Sequence, residues 1–282
     1  MKPPHLLAAL LVMAAVPVPA QPLPSPARCD LNASDWDQAR CLLSPVKTYG
    51  VVGSPGHALP KPWQKLLGEQ SLEVPSAQRL RTYLRKVGVQ EKDVGGALDQ
   101  PISRNSFGQG ARFFIIHDTS VLLDTPGQGG FPAYVNGKDW SGAMIKALAQ
   151  KHNAHVFVGR TGTSATAVDF AEALVTTKFE KTSREHLEGL FVGVENLQPR
   201  LRDGKGIDSI APVPGFTQAQ LKRLAVIYVA ASVRAGRWLI PAFHAVLDNG
   251  IADAHDDPQH FDLAKFSAAL SGVLLQLSGG RP

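Results

Sequence analysis

The chain has 282 residues, of which 44% are hydrophobic and 19% are charged, and its formal charge is +5 at pH 7. This composition excludes a disordered chain, and the length fits one main domain with an extension. The charge is too small to indicate nucleic-acid binding, and no cluster of Lys or Arg with interleaved aromatic residues supports it, although a mild positive charge suits an anionic polymer.

The first 20 residues have the features of a secretory signal peptide. Lys2 precedes an apolar stretch at residues 6–15, and the small residue Ala20 stands before Gln21. This stretch is too short for a comfortable membrane span, and no later stretch reaches the roughly 18 apolar residues that a span needs. We therefore expect residues 1–20 to be removed and the protein to be periplasmic or secreted into the cell envelope, without stable membrane insertion. An uncleaved anchor is the alternative.

Residues 21–107 are predicted to form an N-terminal extension that packs on the following domain, with a separate binding role as the alternative. Prolines and glycines mark loops here, and apolar residues at a spacing of three and four predict one helix from Ser76 to Val87. Cys29 and Cys41 can form a disulfide in an oxidising compartment, worth about 3 kcal/mol in the chain-entropy model. A pair of free thiols is the alternative.

From residue 108 onward, segments typical of strands alternate with segments typical of helices. The run at 113–116 is continuously apolar, as in a central strand buried on both faces. Pro241 places the run at 238–243 at a sheet edge or an irregularity. The alternation predicts an α/β fold in which helices cover a sheet. The other predicted elements are a helix at 139–150 with Asp139 as its N-cap, a hairpin of strands 155–158 and 165–168, a strand at 190–194, a helix from the capping box at Thr217 to about residue 234, and a final helix at 263–277.

Two histidines and an aspartate are candidate ligands of a metal ion. His117 and His244 each follow an apolar run, so the two imidazoles emerge together if those two strands are neighbours. Asp257 lies in the loop before the final helix. Two imidazoles and a carboxylate leave one coordination position of Zn²⁺ open, as in catalytic zinc sites. His255 is a competing ligand, and a structural hydrogen bond is the alternative role for a histidine at the end of a strand.

Glu195 is the candidate general base. It follows the apolar strand at 190–194, where a buried carboxylate is costly unless it is paired, bound to a metal or functional. The structural alternative is a hydrogen bond to the backbone or to an arginine such as Arg160. No other catalytic motif competes, since the sequence has no His-Glu-x-x-His, Gly-x-Ser-x-Gly, Walker loop or dinucleotide fingerprint.

Five segments in a fixed order resemble one enzyme family. They are an apolar strand that ends in His-Asp-Thr-Ser at 117–120, Asn-Ala-His-Val-Phe-Val-Gly-Arg-Thr-Gly at 153–162, Val-Gly-Val-Glu at 192–195, Phe-Thr-Gln-Ala-Gln-Leu at 216–221, and His244 with Asp257-Pro258. Over residues 108–270, the chain resembles the zinc-dependent N-acetylmuramoyl-L-alanine amidases of the type 2 family, which share a fold with peptidoglycan recognition proteins. The resemblance implies a mixed central β-sheet flanked by helices, with a zinc amidase domain at residues 108–278.

The resemblance also implies a role for each candidate residue. His117, His244 and Asp257 would bind Zn²⁺, Glu195 would be the general base, and His255 would support the oxygen of the scissile carbonyl. The substrate would be peptidoglycan or a muropeptide, cut at the amide bond between N-acetylmuramic acid and L-alanine. Two alternatives stay open, namely a recognition protein that binds peptidoglycan without cutting it and a zinc peptidase that acts on the stem peptide.

The chain departs from the family pattern at three places. The run from His244 to Asp257 is longer than in compact bacterial amidases, and Gln259 stands where Gly is usual. The charged stretch at 172–188 lacks the Trp-His-Ala-Gly segment that many relatives carry in the substrate groove. His155, in the second matching segment, is expected to pack or hydrogen-bond beside the site rather than to bind the metal.

Overall fold

The computed structural model describes residues 22–56, 58–123, 131–203, 209–213 and 215–279. The predicted signal peptide at residues 1–20 lies outside these ranges. The described strands are β1 (Phe113–Asp118), β2 (Val121–Leu122), β3 (Val156–Val158), β4 (Ser164–Thr166), β5 (Phe191–Asn196), β6 (Pro199–Arg202), β7 (Ser209–Ile210) and β8 (Ile240–Phe243). The described α-helices are α1 (Asp35–Leu42), α2 (Lys61–Leu67), α3 (Ala77–Lys86), α4 (Lys138–Ala149), α5 (Lys178–Thr182), α6 (Arg184–Leu187), α7 (Gln218–Ala235), α8 (His244–Leu247) and α9 (Leu263–Leu277).

The central sheet has five strands in the order β4-β3-β5-β1-β8. β1 pairs in parallel with β5 and β8, β5 pairs in parallel with β3, and β3 pairs with β4 in the antiparallel sense. The sheet is therefore mixed, as predicted. All residues of the inner strand β1 are buried, which explains its continuous apolar run. β8 lies at the sheet edge, where Pro241 is tolerated.

Helices cover both faces of this sheet. Val156 and Val158 belong to the same apolar core as α7 and α9, whereas Phe157 points to the other face and packs with α4. The capping box at Thr217 and the final helix at 263–277 are confirmed. Among the residues described, no helix has both the length and the apolar character needed to cross a membrane.

The prediction of Asp139 as the N-cap of its helix is wrong. α4 begins at Lys138, and its N-cap is Gly137, which offers no side chain for capping. Asp139 lies inside the first turn, where a negative charge is stabilised by the positive end of the helix dipole. Both positions favour acidic residues, so the sequence pattern does not separate them.

The residues before 108 share one apolar core with the sheet. Leu31 of the N-terminal region, Trp63 of α2 and Leu80 of α3 lie in the same buried cluster as β1. The indole Nε1 of Trp63 donates to Ser267 Oγ of α9 at 2.7 Å. The predicted disulfide between Cys29 and Cys41 is present. The boundary at residues 107 and 108 stays a prediction.

The register of the strands brings the candidate residues to one edge of the sheet. His117 lies opposite Glu195 in the pairing of β1 with β5. Ile116 lies opposite Phe243 in the pairing of β1 with β8, so His244 follows at the same edge. The carboxyl ends of parallel strands therefore meet where the polar side chains begin, which is where open α/β sheets place their ligands.

Candidate metal centre

The structure brings His117, His244 and Asp257 together. One ligand atom from each of these three buried side chains lies within 4.8 Å of the others. His244 Nδ1 lies 2.9 Å from His117 Nδ1 and 2.9 Å from Asp257 Oδ1, and His117 Nδ1 lies 3.6 Å from Asp257 Oδ2. His117 ends β1, His244 begins α8 directly after β8, and Asp257 comes from the loop before α9. The three candidate ligands thus come from separate segments that meet at the edge of the sheet.

These donor atoms fit a divalent cation. The Nε2 atom of His244 lies 2.9 Å from Asp248 Oδ2, so in a neutral imidazole it carries the proton and Nδ1 presents a lone pair. His117 Nε2 is buried without a hydrogen-bond partner among the described residues. Two imidazole nitrogens and a carboxylate oxygen that converge in a buried site are the donor set that Zn²⁺ takes in catalytic sites.

The charges at the site also favour a bound divalent cation. Burial lowers the pKa of His117 to about 4, and the neighbouring His244 adds to this effect. Burial also opposes a charge on His244, but the carboxylates of Asp257 and Asp248 outweigh it and raise the pKa to about 10. Without a metal, a proton therefore resides on His244 beside Asp257. A bound divalent cation would displace that proton, since a histidine ligand must be neutral.

Asp248 supports His244 through Nε2, the ring nitrogen that does not face the other candidate ligands. This residue was not identified from the sequence. Its buried carboxylate accepts from His244 Nε2 through Oδ2, and from the backbone N–H of Phe179 through Oδ1 at 2.8 Å. The backbone N–H of Lys178 also donates to Oδ2 at 3.2 Å. Metal-binding histidines commonly donate their second N–H to a carboxylate in this way. The available signal was the spacing of four residues from His244, which brings two side chains together on one helical turn.

Replacing Asp248 by Asn is expected to weaken zinc binding by about 10- to 100-fold, the range found for such supporting residues. The amide oxygen of Asn still accepts a hydrogen bond from His244, but the negative charge of Asp248 is lost. That charge makes His244 a better electron-pair donor to the metal. Titration against a chromophoric chelator measures the affinity. Asp253→Asn is the matched control, since Asp253 is exposed in the adjacent loop. Equal affinities for the two variants would remove Asp248 from the metal centre.

A backbone N–H holds Asp257 in place, and the residue that provides it also forms a buried ion pair. The backbone N–H of Asp118 donates to Asp257 Oδ2 at 3.0 Å, and the Asp118 side chain pairs with Arg200 at 2.9 Å. The backbone N–H of Gln259 donates to the same Asp118 carboxylate at 3.1 Å. The Gln259 side chain accepts from the backbone N–H of Ala211 at 3.2 Å, so this departure from the family pattern serves a buried contact that Gly could not make.

Glu195 lies beside the candidate ligands and has no arginine partner among the described residues. Its Oε2 atom is buried without a hydrogen bond among the described residues. Burial raises the pKa of Glu195 well above its usual range, and the carboxylates of Asp257 and Asp118 raise it further. Arg160 instead donates to Asn136 Oδ1 at 2.8 Å and to Gln198 Oε1. The structural role in which Arg160 pairs with Glu195 is therefore wrong.

His255 lies at the mouth of the site rather than within it. Its side chain is 56% exposed, and its ring centroid is 4.5 Å from that of His244. The distance from His255 Nδ1 to Asp257 Oδ1 is 3.7 Å. The Lys178 side chain donates to the backbone carbonyls of Ala252 and Asp253, which holds the loop that carries His255. His255 is thus accessible to a ligand that approaches the buried cluster from solvent.

His155 packs beside the site through hydrogen bonds, as expected. Its Nδ1 accepts from the backbone N–H of Gly193 at 3.1 Å, and its Nε2 lies 3.1 Å from the carbonyl oxygen of Glu172. Because both ring nitrogens are engaged, neither is available to a metal.

No protein-family profile matches the chain, and no curated protein matches it. Among solved structures, the chain is similar to one described as a crystal structure of a selenomethionine derivative of AmpD. The identity is 18% and the TM-score is 0.34, over 61% of this chain and 92% of the AmpD chain. The likeness is remote, and membership of the amidase family stays a prediction from the sequence.

Proposed function

We propose that this protein hydrolyses the amide bond between N-acetylmuramic acid and L-alanine in peptidoglycan, with Zn²⁺ bound by His117, His244 and Asp257. The observation that carries the proposal is the convergence of these three donor atoms beside Glu195, whose Oε2 atom has no hydrogen-bond partner among the described residues. The order of the sequence motifs supports the substrate class.

Zn²⁺ in this position would supply a Lewis acid and would lower the pKa of a bound water. Glu195 accepts a proton from the attacking water, whose oxygen forms a bond to the amide carbonyl carbon. The same carboxyl group then donates that proton to the leaving nitrogen of alanine as the carbon–nitrogen bond breaks. The raised pKa of Glu195 suits both proton transfers, because the carboxyl group must hold the proton between the first and the second.

His255 is assigned to the carbonyl oxygen of the substrate. Its exposure at the mouth leaves an N–H free to donate to that oxygen as negative charge develops in the transition state. A donor placed there stabilises the transition state more than the bound substrate, which is the condition for raising the rate.

The disulfide supports a location in the cell envelope. Bonds such as that between Cys29 and Cys41 form and persist in oxidising compartments. We therefore propose that the protein acts in the periplasm or outside the cell, where peptidoglycan is found.

The test is digestion of purified peptidoglycan with the zinc-loaded protein, followed by labelling of new amino termini. Alanine as the new terminus is the expected result, and a different residue would indicate a peptidase of the stem. Binding to the wall without any new terminus would indicate a recognition protein. The His117→Ala variant serves as the control for contaminating hydrolases.

A further inference from the structure

A cavity of about 530 Å³ lies between α3, α7 and α9, in a part of the molecule that contributes nothing to the metal centre. Its walls are mostly apolar and include Val89, Val226, Ala269 and Val273. Gly272 of α9 has no side chain and leaves open space above it. The volume is within the range of about 300 to 1,000 Å³ that small-molecule sites occupy.

One charged group in this cavity, Arg223, is only partly paired among the described residues. Arg223 of α7 donates through Nε to the carbonyl oxygen of Gly162 at 2.8 Å, which fixes the guanidinium. Its Nη1 atom is buried and has no hydrogen-bond partner among the described residues. Arg223 forms no ion pair with a carboxylate of the described residues. The charge of Asp93 acts on Arg223, but the Asp93 side chain accepts from the backbone N–H of Gln90 at 3.1 Å.

Further polar groups line the same cavity, among them Tyr83 and Lys222. Tyr83 of α3 is half-buried, and burial raises the pKa of its hydroxyl, so it remains a neutral donor. Lys222 is exposed beside Arg223 on α7 and adds a second positive charge. The polar groups of the cavity therefore favour an anion, while its walls favour hydrocarbon.

A buried guanidinium nitrogen without a partner is costly, and a carboxylate is its strongest complement. We infer that this cavity binds a small carboxylate with an apolar body, with the carboxylate at the guanidinium group of Arg223 and the hydrocarbon against the valines and alanines of α7 and α9. The apolar walls favour such a molecule over inorganic phosphate, which has no hydrocarbon to place against them. This site is independent of the proposed hydrolysis.

The probe is octanoate, titrated into the zinc-loaded protein by calorimetry, with octylammonium and inorganic phosphate as comparisons. Octanoate is expected to bind saturably, and the other two are not. Arg223→Gln is expected to weaken octanoate binding by about tenfold or more, as for the loss of a hydrogen bond to a charged group. Arg85→Gln, an exposed arginine on α3, is the matched control and should bind as the wild type does.

A second variant blocks the cavity without touching Arg223. Gly272→Leu places a side chain in the space above α9, where a Cβ atom meets nothing within 4 Å, so the fold is expected to persist. Octanoate binding should be lost while the thermal midpoint is unchanged or higher, because Leu is a better helix former than Gly. Equal binding of octanoate and octylammonium, binding of phosphate in place of octanoate, or full octanoate binding by Gly272→Leu would overturn the inference.

Discussion

The Glu195→Gln variant is expected to hydrolyse peptidoglycan about 10² to 10⁴ times more slowly than the wild type, the usual cost of losing a positioned general base. This factor corresponds to about 3 to 5.5 kcal/mol of transition-state stabilisation. An amide has the size of the carboxyl group but cannot accept the proton of water. Release of free N-terminal alanine by the two zinc-loaded proteins measures the difference.

Zinc content and muropeptide binding should survive in this variant, because Glu195 is not among the three convergent ligand atoms. Glu185→Gln, at an exposed position on α6, is the matched control and is expected to act at the wild-type rate. Equal rates for Glu195→Gln and the wild type would remove the general-base role. If neither protein released alanine but both bound the muropeptide, the recognition-protein alternative would replace hydrolysis.

Replacing His117, His244 or Asp257 by Ala is expected to strip zinc from the purified protein. Each change removes one of three protein ligands and leaves the other two buried without enough donors to hold the ion. His255→Ala should keep stoichiometric zinc and mainly slow turnover, since the His255 side chain is largely exposed. Elemental analysis of the four variants after dialysis gives the result.

A different pattern of zinc content in these variants would change the assignment of the second histidine ligand. Stoichiometric zinc retained in His244→Ala, together with its loss in His255→Ala, would make His255 the second histidine ligand. The donor to the carbonyl oxygen would then be unassigned.

The strands that carry the two histidines could be predicted from the sequence. Their apolar runs indicate local burial, and Pro241 indicates a position at the sheet edge. The prediction that His117 and His244 lie close together was conditional, because it required their two strands to be neighbours in the sheet. The pairing of β1 with β8 supplies that condition. Strand order depends on packing between distant segments, and no local pattern encodes it.

The contacts that join distant segments around the site were beyond prediction for the same reason. Asp248 joins His244 to the start of α5, which lies far away in the chain. Arg160 was a reasonable partner for Glu195 by charge alone, but the structure pairs it with Asn136 and Gln198. The small sheet of β2, β6 and β7 has strands of two to four residues, too short to show any periodicity.

Anomalous scattering at the zinc edge, measured from crystals of the zinc-loaded protein, tests the metal centre most directly. The expected result is one peak about 2.0 to 2.2 Å from His117 Nδ1, His244 Nδ1 and an Asp257 carboxylate oxygen, with a fourth position that no protein atom fills. A peak bound by His255 in place of either histidine, or a fourth protein ligand that closes the site, would contradict the assignment of a catalytic zinc.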